Sequence, residues 1–439
     1  MADFIQKLIN NIPDYQQFLT VDEMDESSKK LAAEFPDIVE VFEAGKSRKG
    51  HPIYCLKIGK GSRNALMFGC PHPNEPMGAM LLEYTWYLIK SIDLDGTQLN
   101  EGWFKGPITL TNFTRHYFRP AGYEQVEWNF PFHYKNYTYD TPIPETVCLM
   151  NLIDKIQPQF MYSLHNGTYW YLTREIPELW DKFYAATAKQ NIPLHLGEPE
   201  VNYITPFSQA IYPMIGSKDT YDYNEKYGTV APEKLMSTGT SSADYALQQG
   251  YDTTTLVTEL PYFYEPRIQS DKLMDFSRRE AALKGCEILH ENRKAVKAYY
   301  DQIADLISND NSFAKMVSNG YEHFEEDYQQ ECDFIRQDSN YDGLCKESEA
   351  FDNLEIPKYR VLLQWTLLIR ACEHELAKNP SHEAAQRLQR IHDEGEKEFA
   401  KRAEIAEKEL HYEVIPIRKL IAVQLESGML VADYLQKHR

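Results

Sequence analysis

The sequence predicts an α/β fold followed by an all-helical C-terminal region. Short apolar, β-branched runs alternate with amphipathic segments at helical spacing as far as Arg267, the pattern of strands and helices layered around one sheet. Beyond Arg267 the periodicity turns almost wholly helical, and the polar run Ser308-Asn309-Asp310-Asn311-Ser312 marks a boundary. The expected division is therefore an α/β domain at 1–307 and a helical domain at 308–439.

Taken in order, residues 2–35 set apolar groups among acids and lysines at helical spacing, and Pro36 ends this amphipathic helix. Runs at 38–44 and 51–58 alternate like strands, and Gly45-Lys46-Ser47-Arg48-Lys49-Gly50 joins them into a hairpin. Residues 64–69 form an apolar run suited to a buried strand, 77–90 have the pattern of a helix, and 107–113 that of another strand. The aromatic, turn-rich stretch 119–141 reads as a loop of the kind that carries binding groups. A helix at 145–156 leads to a strand at 159–164, which delivers His165-Asn166-Gly167 at its carboxyl end.

A helix at 178–190 precedes a Tyr- and Pro-rich stretch, 192–240, without clear period, which reads as functional loops. A short helix with a glycine stop covers 241–250, and the β-branched run 253–261 is a strand interrupted by one acid, Glu259. A long helix lies within 270–307. The tail adds helices at 313–336, 359–377, 382–411 and 415–437, each with a charged face. The loop 338–343 does not complete the spacing of an EF-hand calcium site.

Of 439 residues, 43% are hydrophobic, enough for a large core and two domains. A formal charge of -20 argues against a nucleic-acid or anionic-membrane surface, since both reward clustered Lys and Arg. The seven cysteines are odd in number and lack Cys-x-x-Cys spacing, which speaks against a full disulfide framework. The opening residues lack the apolar core of a signal peptide, and no run approaches the roughly twenty apolar residues of a membrane span. The expectation is a reducing, cytoplasmic location.

The chemistry concentrates at strand ends. In Cys70-Pro71-His72-Pro73-Asn74-Glu75-Pro76-Met77-Gly78 an imidazole and a carboxylate, separated by two residues in a strand-to-helix turn, can converge on one ion. His165 and Glu259 stand at the ends of two further strands of the expected sheet. Two histidines and a carboxylate are a common catalytic zinc set, and a second carboxylate nearby can serve as general base.

The order of these features resembles the zinc carboxypeptidase family, the carboxypeptidase A-like metallopeptidases, over roughly residues 18–305. Besides the His-x-x-Glu turn, the resemblance rests on Phe18-Leu19-Thr20-Val21-Asp22-Glu23-Met24 leading to Phe35-Pro36, and on the glycine-rich hairpin turn with His51-Pro52-Ile53. It continues through Ser163-Leu164-His165 and Gly239-Thr240-Ser241-Ser242-Ala243-Asp244-Tyr245-Ala246 to Thr258-Glu259-Leu260-Pro261. The resemblance implies an α/β/α sandwich around a mixed, mostly parallel sheet, Zn2+ held by His72, Glu75 and His165, and Glu259 as the base.

The sequence also departs from the family. Members usually grip the substrate's terminal carboxylate with an Asn-Arg pair, whereas the corresponding stretch here is Val126-Glu127-Trp128-Asn129-Phe130-Pro131, with Trp128 where the arginine is expected. Asn129 remains a substrate-binding candidate, and Arg115 or Arg119 could supply the missing guanidinium fork. The family's phenol ahead of the catalytic acid has no clear counterpart, so Tyr245 and Tyr264 are candidate substitutes. Ala243 falls near the floor of the side-chain pocket and indicates neither a strongly basic nor a strongly acidic preference. His51, His116, His133 and His195 read as surface or structural groups.

The functional expectation is a zinc carboxypeptidase that removes C-terminal residues from a peptide or peptide-like substrate. One alternative is a zinc amidohydrolase acting on acyl-amide or γ-linked cell-wall peptide substrates. Another is a noncatalytic binding protein whose helical domain contacts a partner. The tail helices could cover the active-site rim, form a homodimer or pack on their own chain, because an apolar stripe must be buried somewhere.

Overall fold

The computed structural model describes residues 2–80, 87–167 and 169–438. Among these, one sheet organises the chain. Its strands are β1 (Val39–Lys46), β2 (Pro52–Ile58), β3 (Ala65–Gly69), β4 (Tyr87–Ile89), β5 (Phe160–His165), β6 (Trp170–Leu172), β7 (Ile211–Pro213) and β8 (Thr254–Glu259). They lie in the order β1-β2-β4-β3-β5-β8-β6-β7. The pairs β4-β3, β3-β5, β5-β8 and β6-β7 are parallel, and the other three are antiparallel. This is the mixed, mostly parallel sheet expected from the sequence. The central strands β3 and β5 are buried throughout, as strands covered on both faces must be.

Helices cover both faces: α1 (Ala2–Asn10), α2 (Val21–Glu34), α3 (Met77–Met80), α4 (Leu110–Arg115), α5 (Pro144–Ile156), α6 (Trp180–Lys189), α7 (Ser217–Tyr227) and α8 (Ser242–Gln248). Then come α9 (Arg278–Tyr300), α10 (Ser312–Asn319), α11 (Phe324–Gln337), α12 (Ile356–Leu376), α13 (His382–Glu409) and α14 (Ile417–His438). No helix among the described residues is long and apolar enough to cross a membrane.

Several elements differ from expectation for identifiable reasons. The single N-terminal helix is two: α1 stops at Asn10, Pro13 follows, and Thr20 opens α2 with a reciprocal Thr20/Glu23 capping box. The strand expected at 107–113 is largely helix α4, because Thr109 Oγ1 accepts from Asn112 N at 3.2 Å and starts a helical turn. Of the helix expected at 77–90, only Met77–Met80 is helical and Tyr87–Ile89 joins the sheet beside β3; positions 81–86 lie outside the described residues. The aperiodic stretch 192–240 contains β7 and α7.

The tail beyond 308 packs against the sheet. Leu420, Ile421, Val423, Leu425 and Val431 of α14 share one buried cluster with Tyr162 and Leu164 of β5 and Leu256 of β8. Gly428 is what permits this approach, since a Cβ there would lie 2.6 Å from the Tyr162 ring. The faces of α12 and α13 bury Leu362, Trp365, Leu368, Leu388, Ile391 and Phe399 together with Leu110 of α4 and Val296 of α9. The stripes that could have served a dimer are thus covered by the chain itself.

Candidate metal centre

The parallel strands β3, β5 and β8 end side by side, and their register decides which residues meet. Gly69 pairs with Leu164 and Glu259 pairs with His165. The turn after β3 and the last residues of β5 and β8 therefore share the carboxyl edge, where open α/β sheets hold ligands. Within the turn Cys70 adopts φ 50°, and Glu75 N donates to the His72 carbonyl at 3.0 Å, which brings the two side chains together. His72 Nδ1 lies 3.3 Å from Glu75 Oε2. His165 Nδ1 lies 3.1 Å from the same oxygen and 3.2 Å from His72 Nδ1. All three residues are buried. Glu259 Oε1 stands 3.7 Å from His165 Nδ1.

These residues fit a zinc ion. Donors bound to a tetrahedral ion at about 2.0–2.2 Å stand about 3.3–3.6 Å apart, close to the three separations found. Arg119 Nη2 donates to Glu75 Oε1 at 2.5 Å and its Nε donates to Asn74 Oδ1 at 3.2 Å. The other Glu75 oxygen is left facing the histidines. Glu373, His392 and Glu396 also approach one another. There, however, Arg115 donates to both carboxylates at 2.6 Å, so a cation already occupies the cluster.

A family description, zinc carboxypeptidase, matches residues 24–100, a segment that includes His72 and Glu75. Over that segment the chain is similar to the zinc carboxypeptidases. Among solved structures it is similar to the carboxypeptidase A from Helicoverpa armigera, at 15% identity and TM-score 0.36 over 61% of this chain and 72% of that one. It is also similar to the murein-tripeptide amidase MpaA from Escherichia coli O157, at 16% identity and TM-score 0.28 over 50% and 83%. A metallo-carboxypeptidase from Burkholderia cenocepacia matches at 13% identity and TM-score 0.28 over 53% and 59%. Comparison with curated proteins finds no match.

The electrostatics of the edge are uneven. Burial, followed by the charge of Arg119, pushes His72 down to about 4, which keeps its ring neutral near pH 7. Burial opposes the ionised form of Glu75, but the His72 imidazole, the Arg119 guanidinium and the hydrogen bonds from both histidines hold it well below the usual carboxylate range. Burial lifts Glu259 to about 8, with Glu75 and Glu200 adding to the rise and His165 and Arg119 opposing it. Gly167 makes room for this acid, since a Cβ there would lie 2.5 Å from Glu259 Oε2.

The expected substrate-binding residues divide. Arg119 is in the site, bound to a candidate ligand. Arg115 is in the ion-pair seam with α12 and α13 instead. Asn129 is buried, with Nδ2 donating to the Tyr123 carbonyl at 2.6 Å and Oδ1 accepting from Ile143 N at 2.5 Å, so its amide is used in holding the loop. Tyr245 packs on Phe130 and donates to Asp154 at 2.9 Å, away from the strand ends. Sequence reasoning missed Glu127, Ser163, Asn74 and Gln424. Ser163 and Gln424 bond His165, Glu127 bonds Ser163 and Asn74 accepts from Arg119; Asn74 and Ser163 stand beside the motif residues, whereas Glu127 and Gln424 come from segments far away in sequence.

Proposed function

We propose that the chain is a zinc-dependent hydrolase of peptide amide bonds, a metallopeptidase of carboxypeptidase type. The convergence of His72 Nδ1, His165 Nδ1 and Glu75 Oε2 beside the Glu259 carboxylate carries this reading. A zinc ion held there would polarise a carbonyl and acidify a water. Glu259 is placed to take the proton of the attacking water and return it to the leaving amine nitrogen. Arg119 keeps Glu75 turned toward the histidines, and the buried strand ends keep the acid in a poorly hydrated setting.

A second reading has its own support. Arg115 and Arg119 are both engaged by carboxylates, and Trp128 stands at the expected arginine position. Recognition of a free terminal carboxylate thus lacks an uncommitted guanidinium at these three places, which favours acyl-amide or γ-linked peptide substrates.

Zinc-loaded protein and its Glu259→Gln variant should be given matched free and C-terminally amidated peptides, N-acyl amides and γ-linked peptides, with products read by mass spectrometry. Loss of single residues from free ends alone, abolished in the variant, establishes the carboxypeptidase. Glu259-dependent turnover of amidated or acylated substrates establishes the second reading, and no turnover on any of them overturns both.

A further inference from the structure

We propose that Glu127 is a positioning residue for the candidate metal ligand His165, acting through the hydroxyl of Ser163. The inference rests on the reading of His165 as a zinc ligand. Ser163 Oγ donates to Glu127 Oε1 at 3.0 Å and lies 2.9 Å from His165 Nε2. A serine hydroxyl has one hydrogen, and an ionised carboxylate can only accept. With that hydrogen on Glu127, Ser163 must accept from His165, so a ring proton is held on Nε2 and Nδ1, which faces His72 and Glu75, is the nitrogen left to bind a cation. The tautomer suited to binding a cation at Nδ1 is thereby selected from the opposite side of the ring.

Glu127 is built for this task. It is buried, Ser242 Oγ donates to its Oε1 at 2.9 Å and Ser242 N donates to its Oε2 at 2.9 Å. Both oxygens are therefore fixed by the start of α8, and the carboxylate cannot turn away from Ser163. Three segments far apart in sequence converge on this relay: the loop after α4, strand β5 and helix α8. Glutamine would keep the shape of Glu127 but could present an N–H to Ser163. The serine would then donate to Nε2 and drive the ring proton onto Nδ1.

The test uses the full chain with Glu127→Gln, Ser163→Ala and the double variant. Zinc affinity is measured by competition with a chromophoric chelator, and the absorption spectrum of the cobalt-loaded protein is recorded beside it. Each single variant should weaken zinc about 10- to 100-fold and shift the cobalt bands. The double variant should be no weaker than Ser163→Ala alone, because both substitutions break one path. Wild-type affinity in either single variant, or additive losses in the double, overturns the relay. Should Glu127→Gln not fold, Ser163→Ala decides by the same affinity criterion. A wild-type chain that takes up no zinc overturns the metal reading together with the relay, whereas a zinc-binding wild type with unweakened variants overturns the relay alone.

Discussion

At the residue scale the site is crowded enough that one methyl group has a defined effect. Gly167→Ala would drive a Cβ against Glu259 Oε2 and displace the acid without touching a candidate metal ligand. Turnover should fall at least about 10-fold while zinc affinity holds, since a small misplacement of a reacting group costs that much or more. Equal turnover in the variant and the wild type would count against Glu259 as the base. Glu259→Gln itself should lower kcat by about 10²- to 10⁴-fold with zinc retained, the range of general acid–base catalysis. Arg119→Met should do the reverse, loosening Glu75 and weakening zinc by about 10-fold or more in a chelator competition, because it removes the partner that orients a ligand.

At the element scale, what could be read in the sequence followed the strength of local patterning. The β1-β2 hairpin and strands β3, β5 and β8 were legible because apolar runs bounded by turns stand out, and β5 and β8 place His165 and Glu259 at their ends. Helix α4 was hidden because one capping threonine outweighed a β-branched run, and Glu127 because its partners Ser163 and Ser242 lie 36 and 115 positions away. The turn elements carry a pH-dependent strain of their own. Asp93, buried and paired with Arg48 at 3.3 Å, is pushed up to about 6 by burial, with Arg48 opposing and Glu145 reinforcing the rise. A carboxyl raised in the folded state favours folding while protonated and loses that contribution as pH climbs from its unfolded value to about 6. The stability of Asp93→Asn relative to wild type should therefore increase between pH 4 and 6, by about 3 kcal/mol at most, in urea titrations at each pH. A flat difference would show that Asp93 does not titrate in this window.

At the scale of the whole molecule, the final helix on the far side of the division expected at 308 shares a buried cluster with the sheet. A chain cut after 307 would lose α14 and bare Tyr162, Leu164 and Leu256, so it should fail to give the cooperative melting transition of the full chain, as followed by circular dichroism. The final helix also reaches the candidate centre, because Gln424 Nε2 donates to the carbonyl of His165 at 3.0 Å across a separation of 259 residues. Contacts that close so long a loop form late, after most of the chain entropy has been spent. The seat of His165 is thus completed near the end of folding. Were zinc bound at this site, it would find no finished site to nucleate around, would arrive after the helix has docked, and would act as a lock on an assembled fold rather than as its template.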